Sequence, residues 1–350
     1  MTGERRRSAA RRAILREPAE DGFVYRYGSN GHRVSRPKEL RRIEALAVPP
    51  AWTSVEIARS PGAKVLARGV DAAGRRQAIY RPSYRRRRER EKFERLLRFG
   101  EALPRLRAEV DRDLRRHRLS RDRVVAGAIR LIDLQFFRVG NPEYARRYRS
   151  YGITTLRNEH VEATGHAVTL DFAGKHGKRQ RRRIADERVA RLISRLSELP
   201  GEEVFRFFDE DGVVHDLSSR HVNEYVRRSM GEDFSAKDFR TWGGTLRAAT
   251  LLQQAWANGE LDAPGSAVRA SREAVRQVAE LLGNTPAVTR TSYIDPRVLE
   301  AVERPEVWRR LAPLRARMRP RRHLSVEEQY ALALLREVGR GRRRDRSGVV

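Results

Sequence analysis

The apolar residues of this chain change their spacing once, and that change sets the architecture it can adopt. Between Phe23 and Tyr80 they come in short runs broken by proline and glycine: Val24-Tyr25-Arg26-Tyr27, Val48-Pro49-Pro50-Ala51-Trp52, Val55-Glu56-Ile57-Ala58, Lys64-Val65-Leu66-Ala67-Arg68-Gly69 and Gln77-Ala78-Ile79-Tyr80. Short runs of β-branched and aromatic residues between turn formers make strands, so this stretch predicts a small β-rich domain with one helix near 37–46. The segment 84–91 is almost all charge and reads as a solvated helix start or a hinge. Beyond it the spacing turns helical.

Residues 91–117 carry Phe93, Leu96, Leu97, Leu103 and Leu106, with Pro104 expected to break the run. Ser120 is placed to cap a helix with Val124, Val125, Ile129, Ile132 and Phe136 on its apolar side. Strand patterns return at 160–185, with turns at Gly165-His166 and 174–177. Further helices are predicted at 186–198, 218–230, 235–257, 271–282 and 325–338, the last opened by the capping box Ser325/Glu328. The expected organisation is α+β: a loose basic arm over 1–20, a β-rich domain over 21–88, a larger, mainly helical domain over 89–338, and a disordered basic tail over 339–350.

Lys+Arg number 75 against 46 Asp+Glu, a formal charge of +29, and the cations are nearly all arginine. An excess of that size implies a polyanionic partner, most simply nucleic acid, whose condensed counterions are released on binding. A GC-rich coding bias would explain the choice of arginine but not the excess. The chain has no cysteine, which excludes disulfides, thiolate catalysis and cysteine-ligated zinc. Its eight histidines lack metal-ligand spacing, no phosphate-binding GxxxxGK[ST] loop occurs, and no acidic cluster suggests a Mg2+ site. No apolar run approaches the ~20 residues a membrane helix needs, and the N-terminus lacks a signal peptide's apolar stretch. The chain is therefore expected in the cytoplasm, at the bacterial nucleoid, with no cofactor, no membrane and no small-molecule substrate.

Four sites look placed for chemistry, and each has a plainer reading. Arg138, in Phe136-Phe137-Arg138-Val139-Gly140-Asn141-Pro142, ends one helix just before Asn141 and Pro142 start another. An arginine there can simply face solvent or the helix dipole, but its apolar flanks suit a cation held beside a core. Lys175, in Gly174-Lys175-His176-Gly177-Lys178, sits on a turn between strands; it is either a soluble hairpin tip or an ammonium extended toward a DNA groove. Arg240 precedes Gly243-Gly244, a pair that costs helix stability unless a packed helix or a phosphate comes close. Tyr293 lies in a Thr/Ser-rich loop, where tyrosine is usually a partly buried packing residue.

Taken together, Phe137-Arg138-Val139-Gly140, Gly174-Lys175, Lys237-Asp238-Phe239-Arg240-Thr241 and the stretch from Asn284-Thr285-Pro286 to Tyr293 resemble the type IB DNA topoisomerases, especially the short poxvirus-like and bacterial form. The resemblance covers roughly residues 20 to 310, with the pieces in the family's order and at about its spacings. It implies the catalytic fold shared with tyrosine recombinases, a monomer that clamps duplex DNA, and cleavage of one strand without ATP or metal. Tyr293 would be the nucleophile, forming a 3′-phosphotyrosyl link. Arg138 and Arg240 would stabilise the nonbridging oxygens, Lys175 would protonate the leaving 5′-oxygen, and Asn284 would donate a hydrogen bond to the phosphate. The segment around Arg75, Arg76, Gln77 and Tyr80 looks like the family's groove-contacting strand, and Lys178 is a further candidate DNA contact.

The chain departs from the family pattern in two places. Many members carry histidine before Thr-Pro where this chain has Asn284. The poxvirus form has an aromatic at the position of Ala78. Two other readings compete. A tyrosine recombinase or integrase would usually show His-x-x-Arg where this chain reads Lys237-Asp238-Phe239-Arg240. A noncatalytic, basic nucleoid protein would account for the charge but not for the ordered set.

Overall fold

The computed structural model describes residues 12–347. The chain divides into two compact units, with the boundary after Lys92.

The first unit is a five-stranded antiparallel sheet of β1 (Ala13–Ala19), β2 (Gly22–Tyr27), β3 (Thr53–Ala58), β4 (Val65–Val70) and β5 (Arg76–Tyr80), ordered β2-β1-β3-β4-β5. The helix α1 (Pro37–Glu44) starts on a proline, whose fixed φ suits a first helical turn, and buries Ile43. Ile14, Val34, Ile43, Val55, Ile57 and Ala67 form the core. In the register Ile14 lies opposite both Tyr27 and Ile57.

This corrects the expected arm at 1–20, because residues 13–19 are an interior strand of the sheet. The strand is hard to see because Arg16 interrupts its apolar pattern while being buried itself. Its guanidinium donates to the carbonyls of Val48, Pro49, Pro50 and Trp52 and lies 4.0 Å over the ring of Phe23. Five planar donors facing a loop of carbonyls replace the water that a buried cation loses. The expected β run at 48–52 is that loop rather than a strand. Residues 1–11 of the expected arm lie outside the described residues.

The long helix α2 (Pro82–Leu114) carries the charged segment 84–91 and continues through Pro104, where the sequence suggested a break. Leu96, Phe99, Leu103 and Leu106 are buried on one face of it, and that packing outweighs the single hydrogen bond the proline removes. After it come α3 (Arg121–Gln135) and α4 (Pro142–Tyr148), then a three-stranded antiparallel sheet in the order β6 (Val161–Thr164), β7 (Ala167–Ala173), β8 (Arg179–Ala185). As expected, Asn141 caps α4 by accepting from the N–H groups of Glu143 and Tyr144.

Helix α5 (Glu187–Ser197) is followed by a hairpin of β9 (Arg206–Phe208) and β10 (Val214–Asp216), strands too short to show in the sequence. Helices α6 (Ser219–Met230), α7 (Ala236–Ala257) and α8 (Ser266–Leu282) match the expected spans, α8 starting five residues earlier than predicted. The unpredicted α9 (Pro286–Ser292), α10 (Pro296–Glu300) and α11 (Pro305–Arg317) each open on a proline. The last helix, α12 (Val326–Ser347), runs into the stretch expected to be a disordered tail; residues 348–350 lie outside the described residues.

One buried ion network ties α2, α3, α7 and α12 together. Arg107 makes two bonds to Asp133 (2.7 and 2.9 Å), two to Glu328 (2.8 and 2.7 Å) and one to the His323 carbonyl (2.8 Å). All five guanidinium N–H groups are thereby used. Trp242 on α7 donates to the same Glu328 at 3.4 Å. Among the described residues no helix is long and apolar enough to cross a membrane.

Candidate active site

Two helix ends build the site. Helix α3 stops at Phe136, which takes a left-handed φ of 55° and turns the chain so that Arg138 follows two residues later. Helix α8 stops at Gly283, with φ 62°, a conformation open to glycine at little cost, and Asn284 follows it. The N–H of Asn284 bonds back to the Ala279 carbonyl at 2.9 Å, which fixes its place against the helix. Arg138 and Asn284 meet there: Nη2 of the arginine donates to Oδ1 of the amide at 2.6 Å.

Arg240 reaches the same place from α7. It is 6 % exposed, and its Nη1 and Nη2 donate to the carbonyls of Phe136 (2.6 Å) and Leu282 (2.7 Å). Both carbonyls lie at helix C-termini, where intrahelical partners run out and the partial charge is negative. Burial, then the nearby Arg138 cation, lowers its pKa to about 10, with Tyr293 acting in the opposite direction. Arg138 is also lowered by burial, again opposed by Tyr293.

Tyr293 closes the cluster, its ring centroid 5.1 Å from the Arg240 guanidinium carbon. It is the C-terminal cap of α9, not a loop residue as expected. Thr285 caps this seven-residue helix and Pro286 opens it; the sequence motif is therefore a helix start. The Tyr293 backbone rests on α7. Its carbonyl accepts from the Thr245 hydroxyl at 3.4 Å, and a Cβ on Gly244 would lie 2.5 Å from that carbonyl oxygen. A Cβ on Gly243 would meet the Phe136 ring at 2.4 Å. The costly Gly243-Gly244 pair thus serves packing, letting α7 approach both the Tyr293 backbone and the residue that precedes the Arg138 turn.

The structure therefore brings Arg138, Arg240, Asn284 and Tyr293 together. Lys175 stands apart, exposed on the turn 175–177 between β7 and β8, and among the described residues no hydrogen bond or ion pair joins it to the other four. The same hairpin nevertheless touches the cluster through Lys178, whose Nζ donates to the Asn284 carbonyl at 3.2 Å. In the first unit, β5 is an edge strand. Arg75 and Gln77 both bond to the Asp71 carboxylate, at 2.7 and 2.9 Å, and Arg75 holds that carboxyl well below its usual range. Arg76 is exposed, and Tyr80 is 46 % exposed and stacks on Tyr84.

Within the cluster, the Asn284 Nδ2 is buried without a partner. An unmatched buried donor costs stability, a cost that a bound acceptor would relieve. The Phe136 and Leu282 carbonyls that hold Arg240 carry no sequence signal, since a main-chain acceptor is independent of residue type.

A family model of the eukaryotic DNA topoisomerase I catalytic core matches residues 81–305, and one of the bacterial DNA topoisomerase IB N-terminal domain matches 22–71. DNA topoisomerase 1B of Acanthamoeba polyphaga mimivirus is 33% identical over 291 residues, covering 82% of this chain and 86% of its own. DNA topoisomerase 1B of vaccinia virus (strain Copenhagen) is 23% identical over 266 residues, covering 75% of this chain and 81% of its own. Among solved structures, the XerH site-specific recombinase bound to difH substrate aligns at 14% identity over 58% of this chain and 52% of its own. Its TM-score of 0.34 is too low to carry weight. The core and N-terminal matches, together with the mimivirus relative, are decisive over the recombinase and nucleoid-protein readings: the chain belongs to the type IB DNA topoisomerases.

Proposed function

We propose that this topoisomerase relaxes supercoiled duplex DNA with Tyr293 as nucleophile and Arg138, Arg240, Asn284 and Lys175 as its partners. The observation that carries the reading is the convergence of Tyr293, two guanidiniums and an amide whose Nδ2 is buried and unpartnered. Tyr293 Oη attacks the phosphorus of one strand, forming a phosphotyrosyl ester to the 3′ phosphate as the P–O5′ bond breaks. The phenol loses its proton to solvent, and Lys175 gives one to the departing 5′-oxygen, a poor leaving group otherwise. Arg138, Arg240 and the Asn284 amide take the charge that grows on the nonbridging oxygens, a task for which planar guanidiniums suit better than ammonium. The ester stores the bond energy, so after strand rotation the 5′-hydroxyl reattacks without ATP or metal.

Arg75, Arg76, Gln77 and Tyr80 are the proposed DNA contacts outside the cluster, whereas Lys178, the other candidate, is bonded to the Asn284 carbonyl. Exposure of Arg76 and Tyr80 supports this, and Arg75 and Gln77 would have to share their Asp71 contact with DNA. The protein is further inferred to act as a monomer in the cytoplasm, at the bacterial nucleoid; the bacterial N-terminal domain match supports the bacterial setting.

The test is relaxation of positively and negatively supercoiled plasmid in EDTA without ATP, with denaturant trapping of the adduct. Wild type should relax both and trap a covalent complex, and Tyr293→Phe should do neither. Normal relaxation by Tyr293→Phe would remove it as nucleophile.

A further inference from the structure

We propose that Lys178 is a positioning residue that latches the turn carrying Lys175 onto the loop carrying Asn284, so that the general acid and the phosphate-binding amide are placed as one unit. The inference rests on the roles proposed above for Lys175 and Asn284.

The turn is closed on itself at Lys178. The Gly174 N–H donates to the Lys178 carbonyl at 2.9 Å, and the Gly177 N–H donates to the Gly174 carbonyl at 3.0 Å. Inside the loop, His176 and Gly177 take left-handed φ values of 62° and 70°. Non-glycine residues resist that conformation, and a tip holding one keeps its shape only if both ends are tied down. The tie to the rest of the site is the 3.2 Å bond from Lys178 Nζ to the Asn284 carbonyl. A second contact lies two residues on, where the Gln180 amide nitrogen is 2.8 Å from where a Cβ on Gly283 would be. Gly283 therefore ends α8 and leaves room for the hairpin at the same point.

Asn284 is thus held from three sides. Arg138 fixes its side-chain oxygen, Ala279 its N–H and Lys178 its carbonyl. With Oδ1 taken by Arg138, only Nδ2 remains to donate. Lys178 spends its cation on a backbone carbonyl within this arrangement, which is the work of a latch rather than of a phosphate contact. Releasing it frees the turn from the 283–284 loop and leaves Lys175 to find the 5′-oxygen by chance, an orientation loss felt in the cleavage rate.

The experiment measures single-turnover cleavage at saturating duplex, on an ordinary phosphodiester and on a 5′-bridging phosphorothiolate whose leaving group needs no acid. Lys178→Met keeps the aliphatic stem and deletes the donors. It should cleave the ordinary substrate about tenfold slower, as expected from loss of one charged hydrogen bond. On the phosphorothiolate it should match wild type, and Lys178→Arg should retain most of the rate on both. Equal slowing on the two substrates would overturn the proposal, because Lys178 would then not act through Lys175. An unchanged rate with weaker binding and a salt slope lower by about one would also overturn it, leaving Lys178 a phosphate contact. Lys175→Ala run in parallel separates the two levels. Failure of the phosphorothiolate to rescue Lys175→Ala removes the general acid itself, whereas its rescue beside an unrescued Lys178→Met removes only the latch.

Discussion

Arg240 lies over the ring of Tyr293, guanidinium carbon 5.1 Å from the centroid, while two of its N–H groups are committed to the carbonyls of Phe136 and Leu282. The cation is thus held by two helix ends before any DNA arrives. A preset donor needs no reorganisation when charge develops in the transition state, the condition under which such groups contribute most.

Replacing Arg240 with lysine keeps the charge but cannot span both carbonyls and still face the phosphate. Arg240→Lys should lower the single-turnover cleavage rate about 100-fold, with duplex affinity nearly unchanged. A rate near wild type, measured at saturating duplex, would show that the fork geometry is dispensable.

Asn284 donates without titrating, so cleavage by the wild-type protein should show no limb near the usual histidine value of about 6.5. Asn284→His should introduce one, and Asn284→Asp should cost at least about 100-fold by replacing a donor with an anion beside the phosphate. The rate–pH profiles of the three proteins check this together.

Gly244→Ala pushes a methyl against the Tyr293 carbonyl oxygen, 2.5 Å from the position its Cβ would take. Neither helix backbone yields easily, so a stability loss of about 1–3 kcal/mol is expected, together with slower cleavage from a displaced nucleophile. Urea denaturation reads the first and adduct formation the second. A stable, fully active Gly244→Ala would mean that α7 can slide.

Glu328 connects a pH dependence to the ion network. Burial raises its pKa, but the bonds from Arg107 outweigh that and the net shift is downward. The folded value thus lies below the unfolded one of about 4.3, and the sign follows: its stabilisation is fully present above that pH and fades as pH falls through the folded value. Glu328→Ala leaves Arg107 partly unpaired and should cost about 3 kcal/mol at neutral pH. The gap between variant and wild type in urea denaturation should narrow below about pH 4.

Much of the fold was legible because it rests on local periodicity. The strands of the first unit from β2 onward, the sheet of β6, β7 and β8, and helices α3, α5, α6 and α7 all lie close to where their apolar spacing puts them. The failures have a shared cause. Residues 13–19 read as a basic arm because Arg16 occupies a buried position that only a loop of carbonyls makes tolerable. Pro104 read as a break because its local cost is visible in sequence and the packing of Phe99, Leu103 and Leu106 is not.

The sequence by itself determined the chemistry on offer: a large arginine excess, no thiols, and the ordered residues Arg138, Lys175, Arg240, Asn284 and Tyr293. Side-chain type and order along the chain carry that information. Only the tertiary structure decided how four of them meet, with Arg240 held by two main-chain carbonyls, Tyr293 brought onto α7 over Gly244, and Asn284 turned so that Nδ2 is left to donate. Helix ends and close backbone contacts do this work. They join segments as distant as those of Phe136 and Arg240, and a main-chain acceptor leaves no trace in spacing or residue type.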